Sequence, residues 1–265
     1  MDILTLVVVF SAAIVAGAIN AIAGGGTVFS FTALAWTGLP LIIANTTNQT
    51  ALVPGSVGGI IAFRRELIPQ WRAFLVLLTP TIAASLLGAK VVTSIPEDVF
   101  RRSVPFLVLF ATLVFAARNL IIQWALRQPA LVTAGASIPI EQPITPIGYV
   151  LGMVLQFIIA LYGGYFGAGI GILMLTSMSV MGMRDIIKMN ALKNALAAGI
   201  NGTAAMSFIL DSKVEWSFAL LGALGSLIGG YVLASLARRI NQDVLRLAVV
   251  IAGVVVSAWL YIRLQ

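Results

Sequence analysis

Apolar residues run through this chain in long stretches separated by short polar joints. A membrane-crossing helix needs about 20 mostly apolar residues. Ten runs meet or approach that length: roughly 3 to 22, 27 to 43, 45 to 63, 71 to 92 and 102 to 123, then 146 to 166, 169 to 182, 186 to 210, 216 to 237 and 243 to 263. Two of them, 27–43 and 169–182, are short, and if both are re-entrant the count falls to eight. Between Trp124 and Thr145 the pattern breaks into Arg127, Gln128, Pro129, Pro139, Glu141 and Pro143, which reads as a linker. The expected fold is an all-α polytopic membrane protein of eight to ten transmembrane segments, with a first half at 1–123, a linker at 124–145 and a second half at 146–265.

Composition narrows the solvent. With 60% hydrophobic and 9% charged residues and a mean hydropathy of +1.05, the apolar excess must face lipid, which excludes a soluble enzyme. The chain has no Cys and no His, so thiolate chemistry and the usual haem, zinc and general-base ligands are missing. No cofactor or metal is expected. The start carries Asp2 and no basic residue before the first run, so segment 1 lacks a signal peptide's basic region and is expected to be retained.

The net charge of +7 changes the picture in another way, because the cations sit in joints between apolar runs. That pattern sets membrane orientation and argues against nucleic acid as a partner. If all ten runs cross, one face receives Arg64, Arg65, Arg72, Arg118, Arg127, Arg184, Lys188, Arg238, Arg239 and Arg246, and the other Lys90, Arg101, Arg102, Lys213 and Arg263. The richer face should be cytoplasmic, which puts the linker in the cytoplasm and both termini outside.

The two halves echo each other. At an offset of about 144 residues, Thr50-Ala-Leu-Val-Pro-Gly55-Ser-Val-Gly58 falls opposite Asn194-Ala-Leu-Ala-Ala-Gly199-Ile-Asn-Gly202, and Ala23-Gly24-Gly25-Gly26 lies near Ala168-Gly169-Ile170-Gly171. Five segments per half means the second half starts on the opposite face, the inverted-repeat arrangement of secondary transporters. Close helix packing alone would also use such glycines.

These residues carry a resemblance. Asn20-Ala-Ile-Ala-Gly-Gly-Gly26-Thr, Gly38-Leu-Pro, Ala44-Asn-Thr-Thr-Asn48 and Pro54-Gly-Ser-Val-Gly-Gly-Ile-Ile-Ala-Phe-Arg-Arg-Glu66 resemble the sulfite exporter TauE/SafE family of membrane permeases. So do Gly163-Gly-Tyr-Phe-Gly-Ala-Gly-Ile-Gly171 and Met189-Asn-Ala-Leu-Lys193-Asn-Ala-Leu-Ala-Ala-Gly-Ile-Asn201 in the second half, with Ile170 where the family has a third Gly. The resemblance implies a permease of the bacterial cytoplasmic membrane for sulfite, organosulfonates or related small anions.

A membrane-embedded anion needs donors in place of water. Gly24, Gly25 and Gly26 before one short segment, and Gly169 and Gly171 at the start of the other, could expose helix N-termini to it, or could serve as tight interfacial turns. Polar residues crowd segments 3 and 8: Thr46, Thr47, Asn48, Gln49 and Thr50 beside Asn45 in one, and Asn190, Lys193, Asn194 and Asn201 in the other, with Asn20 just ahead of the first Gly run. Positions 190, 193, 194, 197 and 201 share a helical face. Lys193 is the one basic residue clearly inside an apolar run, roughly 10 Å along its helix, and would either meet the anion or snorkel to the headgroups. All nine carboxylates fall at segment ends or in joints, so no intramembrane proton relay presents itself. Trp residues near segment ends read as interface anchors, and Met174, Met178, Met181 and Met183 as lipid-facing or packing surface.

The reading that results is a secondary transporter, an exporter of a sulfur oxyanion or organosulfonate working by alternating access of two inverted repeats. The lipid bilayer and a small sulfur-containing anion are its partners, and a homodimer is a possible assembly. The rivals are a non-transporting membrane scaffold subunit and an anion channel.

Overall fold

The computed structural model describes residues 2–22, 24–117, 120, 144–233, 250, 251, 254, 257, 258 and 262. The linker expected at 124–145 and the tenth segment lie almost wholly outside them. Among the described residues every regular element is helical.

The first half begins with α1 (Ile3–Ile22), whose 20 residues reach about 30 Å, the thickness of a bilayer core. It stops because Gly24 and Gly25 adopt φ of +72° and +100°, which side-chain-bearing residues rarely tolerate. The chain doubles back as α2 (Thr27–Trp36), only about 15 Å long. Gly38 (φ +86°) and Pro40 then break the run expected to continue to residue 43, and α3 (Leu41–Ala62) takes over those apolar residues. The α3 N-terminus is capped from a distance, since Glu97 Oε1 accepts from Leu41 N at 2.5 Å. A short turn, α4 (Arg64–Leu67), leads to α5 (Trp71–Ser94). Next, α6 (Glu97–Ala116) starts five residues before the expected boundary: Pro96 opens it and two acids occupy its first turn, where the helix dipole favours them.

The second half repeats the pattern. α7 (Pro146–Tyr165) has Pro146 at its first position and Thr145 Oγ1 accepting from Gly148 N at 3.1 Å. Two glycines with φ +80°, Gly167 and Gly169, turn the chain into α8 (Ile170–Val180), again about half a bilayer long. Asp185 caps α9 (Ile186–Leu210) by accepting from Ile187 N and Lys188 N, and α10 (Trp216–Ile228) runs on into a π-helical turn at Gly229–Leu233.

Burial is inverted relative to a water-soluble protein. Large apolar side chains line the outside, such as Leu4 and Val7 on α1, Phe106 and Leu113 on α6, and Val150, Val154 and Ile158 on α7. Asn45 to Gln49 are buried. Among the described residues, four helical stretches, Ile3–Ala21, Arg64–Ser94, Glu97–Ala116 and Pro146–Tyr165, are long and apolar enough to cross a membrane. α3 and α9 are just as long but carry their polar residues into the interior. The Met cluster belongs to the core, with Met174, Met178, Met181 and Met183 packed among α5, α7 and α9, while Trp36, Trp71 and Trp216 are about half exposed at helix ends.

Glycines set the helix contacts. A Cβ at Gly88 on α5 would lie 2.1 Å from Leu161 O, and one at Gly164 on α7 would lie 2.1 Å from Ser85 O, so these two backbones touch. Small residues at such a crossing let main chains approach and gain dispersion where lipid offers no hydrophobic drive. Gly164→Leu is expected to prevent the α5–α7 contact and to lower the yield of detergent-extracted monodisperse protein severalfold; a parental yield on gel filtration would contradict this.

The joints sort to two ends. Gln70 Nε2 donates to Lys188 O at 3.0 Å, which joins the Arg64–Arg72 turn to the start of α9. At the far end Lys90 Nζ lies 2.6 Å from Asp211 Oδ1, and Thr93 donates to the same carboxylate at 2.9 Å. The hydrogen bond from Lys90 holds the Asp211 carboxyl below its usual range. The pair therefore adds its small stabilisation above the ordinary carboxylate range and loses it as pH falls through the lowered value.

Candidate functional site

The end of α1 and the turns before α2 and α8 meet inside the protein. A Cβ on Gly24 would sit 2.7 Å from Gly171 Cα, and one on Gly171 would sit 2.7 Å from Gly24 Cα. Gly24, Gly25 and Gly26 are buried, so the first Gly stretch is not a turn at the membrane surface.

Lys193 reaches this junction from α9. It is 1% exposed, which excludes snorkelling in this conformation. Its Nζ donates to Asn20 O at 2.9 Å, Ala21 O at 3.2 Å and Asn190 Oδ1 at 3.0 Å. The last carbonyls of a helix lack intrahelical donors and carry the negative end of its dipole, so an ammonium there caps α1. Asn194 Nδ2 adds a bond to Ala21 O at 3.2 Å. Asn20 fixes the turn itself: its Oδ1 accepts from Gly26 N at 2.8 Å and its Nδ2 donates to Thr27 Oγ1 at 3.2 Å.

A cavity of about 30 Å³ opens here, bordered by Asn20, Gly24, Thr27, Gly167, Ile170, Gly171, Lys193, Asn194 and Asn201 among others. Neither α2 nor α8 has a side-chain cap, so the positive ends of two helices and one ammonium face a common space. That volume suits about one water, smaller than any oxyanion of four or more heavy atoms. Admitting such an anion requires the two short helices to part.

Of the residues singled out from sequence, Asn20, Gly24, Gly171, Lys193, Asn194 and Asn201 line this cavity. The rest stand apart from it. Thr46 Oγ1 donates to Lys213 O, Thr47 Oγ1 accepts from Glu215 N at 2.9 Å, and Thr50 Oγ1 donates to Thr46 O at 2.8 Å, so these hydroxyls fasten α3 to the α9–α10 joint and to itself. Asn48 Nδ2 donates to Thr27 O at 3.3 Å, and Gln49 lies beside Gly167. Asn190 serves Lys193 and Ile186 O. Gly25 lies under the Phe115 ring, Gly26 over Ala16 O and Gly169 over Ala111, each by close packing. Sequence reasoning missed Ser56, which accepts from Asn201 Nδ2 at 3.4 Å and also lines the cavity. The signal was available: Ser56 and Asn201 are 145 positions apart, nearly the spacing between the halves.

The family described as Sulfite exporter TauE/SafE matches residues 9–260, almost the whole chain. The chain belongs to the TauE/SafE sulfite exporter family. Among curated relatives, a probable membrane transporter protein of Haemophilus influenzae is 26% identical over 255 residues, 96% of this chain and 93% of the relative. A probable membrane transporter protein, YfcA, of Escherichia coli K12 is 27% identical over 255 residues, 96% of this chain and 89% of its own length. A third, ORF9 of a Sinorhizobium species, is 25% identical over 252 residues. With its apolar helices, this TauE/SafE member is a multi-pass membrane protein of a transporter family.

Proposed function

We propose that the protein exports a small sulfur-containing anion, sulfite or an organosulfonate, across the bacterial cytoplasmic membrane by alternating access of its two halves. The observation that carries this is the convergence of Lys193 and the uncapped starts of α2 and α8 on one buried cavity. A fixed positive charge with oriented N–H groups replaces the hydration shell of an anion, and a cavity with room for about one water fits a state with no anion bound.

The crosswise contacts support an inverted pair of five-segment repeats. Lys193 and Asn194 on α9 hold the end of α1, while Asn45 on α3 donates to Tyr165 O at the end of α7 at 2.9 Å. Each half thus secures the other's broken helix, and rocking one half against the other would make and break these bonds around the cavity. The site residues on this reading are Lys193, Asn194, Asn201, Asn20, Gly24 and Gly171, with Gln49, Asn48 and Asn190 behind them.

A thermal-stabilisation screen of purified protein against sulfite, sulfate, sulfoacetate and thiosulfate tests the reading. Binding to the folded state at 100 times the dissociation constant adds about 2.7 kcal/mol, seen as a rise of several degrees. The reading fails if none of the four shifts the transition.

Orientation follows from the cation count, with the end that carries Arg64, Arg65, Arg72, Arg184 and Lys188 facing the cytoplasm. The chain has no Cys, so single cysteines report cleanly. Asp98→Cys is expected to react with an impermeant maleimide in intact cells, and Pro69→Cys only after permeabilisation. The reverse pattern would invert the topology.

A further inference from the structure

Seven buried side-chain nitrogen or oxygen atoms among the described residues find no hydrogen-bond partner within the protein, and four of them belong to three side chains of α3: Asn45 Oδ1, Asn48 Oδ1, Gln49 Oε1 and Gln49 Nε2. These residues are 0%, 0% and 1% exposed. At positions i, i+3 and i+4 they occupy one helix face. The two asparagines cannot simply be turned over. Each donates its nitrogen to a main-chain carbonyl, Asn45 to Tyr165 O at 2.9 Å and Asn48 to Thr27 O at 3.3 Å, and flipping either would set oxygen against oxygen. Two oriented amide oxygens, and the wholly unpaired amide of Gln49 beside them, therefore sit inside a membrane protein with nothing donating to them. Such atoms are costly to bury, and a cluster of them calls for a positive ligand.

The surroundings supply more of the same. Asn45 meets the C-terminal end of α7, the negative end of its dipole, Gln49 lies beside the unwound stretch at 166–169, where Gly167 and Gly169 both take φ +80°, and Asn48 reaches Thr27 O. Amide oxygens beside a helix C-terminus and unwound carbonyls form the donor set by which membrane transporters hold a small hard cation. The carboxylates among the described residues lie at helix ends and joints, and Cys and His are missing from the sequence. A neutral oxygen set favours a monovalent over a divalent cation and gives soft metals no ligand.

The geometry points to an alkali-metal cation site, with Na⁺ as its natural probe, built from Asn45, Asn48 and Gln49 against the end of α7. Thr27 and Gly167, which these side chains flank, also border the Lys193 cavity, so the cation lies next to the proposed anion position. The coupling rests on the anion-transport reading; the cation site does not. Opposite charges held side by side in a low dielectric strengthen each other's binding, and the effect is reciprocal. Moving one cation with one monovalent anion is electroneutral, so such a cycle would run at a rate independent of the membrane potential.

The test uses the full-length purified protein in N-methylglucamine, K⁺ and Na⁺ chlorides at equal ionic strength, without and with sulfite. Without sulfite, Na⁺ should raise the melting temperature by several degrees over N-methylglucamine. With it, the sulfite dissociation constant should fall by about fivefold to a hundredfold in Na⁺. Gln49→Met and Asn45→Leu should each abolish the Na⁺ rise. Gln49→Met should also melt no lower than the parent in N-methylglucamine, because it removes two unpaired buried groups. Identical melting of the parent in all three salts would overturn the proposal and leave the amides to buried water alone, and a Na⁺ rise that survives both substitutions would overturn it by placing the cation elsewhere. A Na⁺ rise abolished by Gln49→Met, in protein that binds no sulfite in any salt, supports the cation site and counts against the anion reading.

Discussion

Lys193→Gln is expected to raise the dissociation constant for sulfite by about tenfold to a hundredfold in protein that still folds. Among the described residues lining the cavity the ammonium is the one charged group, and losing a hydrogen bond to a charged partner costs about 1.5–3 kcal/mol. Glutamine keeps an N–H₂ donor for part of the Asn20 and Ala21 carbonyl pair, so α1 retains some of its cap. Lys193→Met keeps neither charge nor donor. It takes the Lys193 donor from Asn20 O and Asn190 Oδ1 and leaves Ala21 O to Asn194 alone, and should lower the melting temperature as well as abolish binding. Lys193→Arg keeps the charge on a broader head and should retain part of the affinity. Titration of sulfite against the purified variants separates these effects, and parental affinity in Lys193→Gln would reduce the lysine to a helix cap.

The second large effect is expected at the junction of the two Gly turns. Gly171→Ala keeps an ordinary helical backbone but puts a methyl 2.7 Å from Gly24 Cα and 3.4 Å from Lys193 Cδ. Two main chains must then separate where α2 and α8 begin, and transport should fall at least tenfold in protein that still reaches the membrane. Overpacking of this kind costs about 1–3 kcal/mol. Gly24→Ala adds backbone strain at φ +72° to the same clash and should cost yield too. Gly202→Ala is the control, because a Cβ there meets nothing within 4 Å. If Gly171→Ala transports like Gly202→Ala, the junction is not part of the path. Gly25 is a poorer probe, since its Cβ would strike the Phe115 ring 2.5 Å away and not the cavity.

How far these features could be read beforehand depended on the kind of signal each residue gave. The bounds of α9 were legible because Asp185 caps its start and Asp211 follows its end, and those of α1 and α7 because Gly24 and Thr145-Pro146 punctuate long apolar runs. The division between α2 and α3 was not, although Gly38 and Pro40 stand in plain view. Leu39 and Leu41 to Ile43 keep the run apolar across the break, and hydropathy does not register a φ of +86°. The same limit moved the start of α6, where Arg101 and Arg102 read as a joint but sit in the second turn of a helix.

At the site, helical spacing put Lys193, Asn194 and Asn201 on one inward face, and the cavity has them there. Spacing could not name their partners, because Asn20 O and Ala21 O lie more than 170 residues away. Nor could it separate two uses of the same polarity. Thr46 and Thr47 look as suited to an anion as Asn48 and Gln49, yet their hydroxyls are taken by the joint at Lys213 to Glu215.

Sulfite flux into proteoliposomes loaded with unlabelled sulfite tests the central claim most directly. An alternating-access carrier predicts saturable uptake of labelled sulfite, accelerated by sulfite on the far side and lost in Lys193→Gln at subsaturating concentration. Flux that neither saturates nor responds to internal sulfite would make the protein a channel, and no flux from folded, reconstituted protein would contradict transport of this anion altogether.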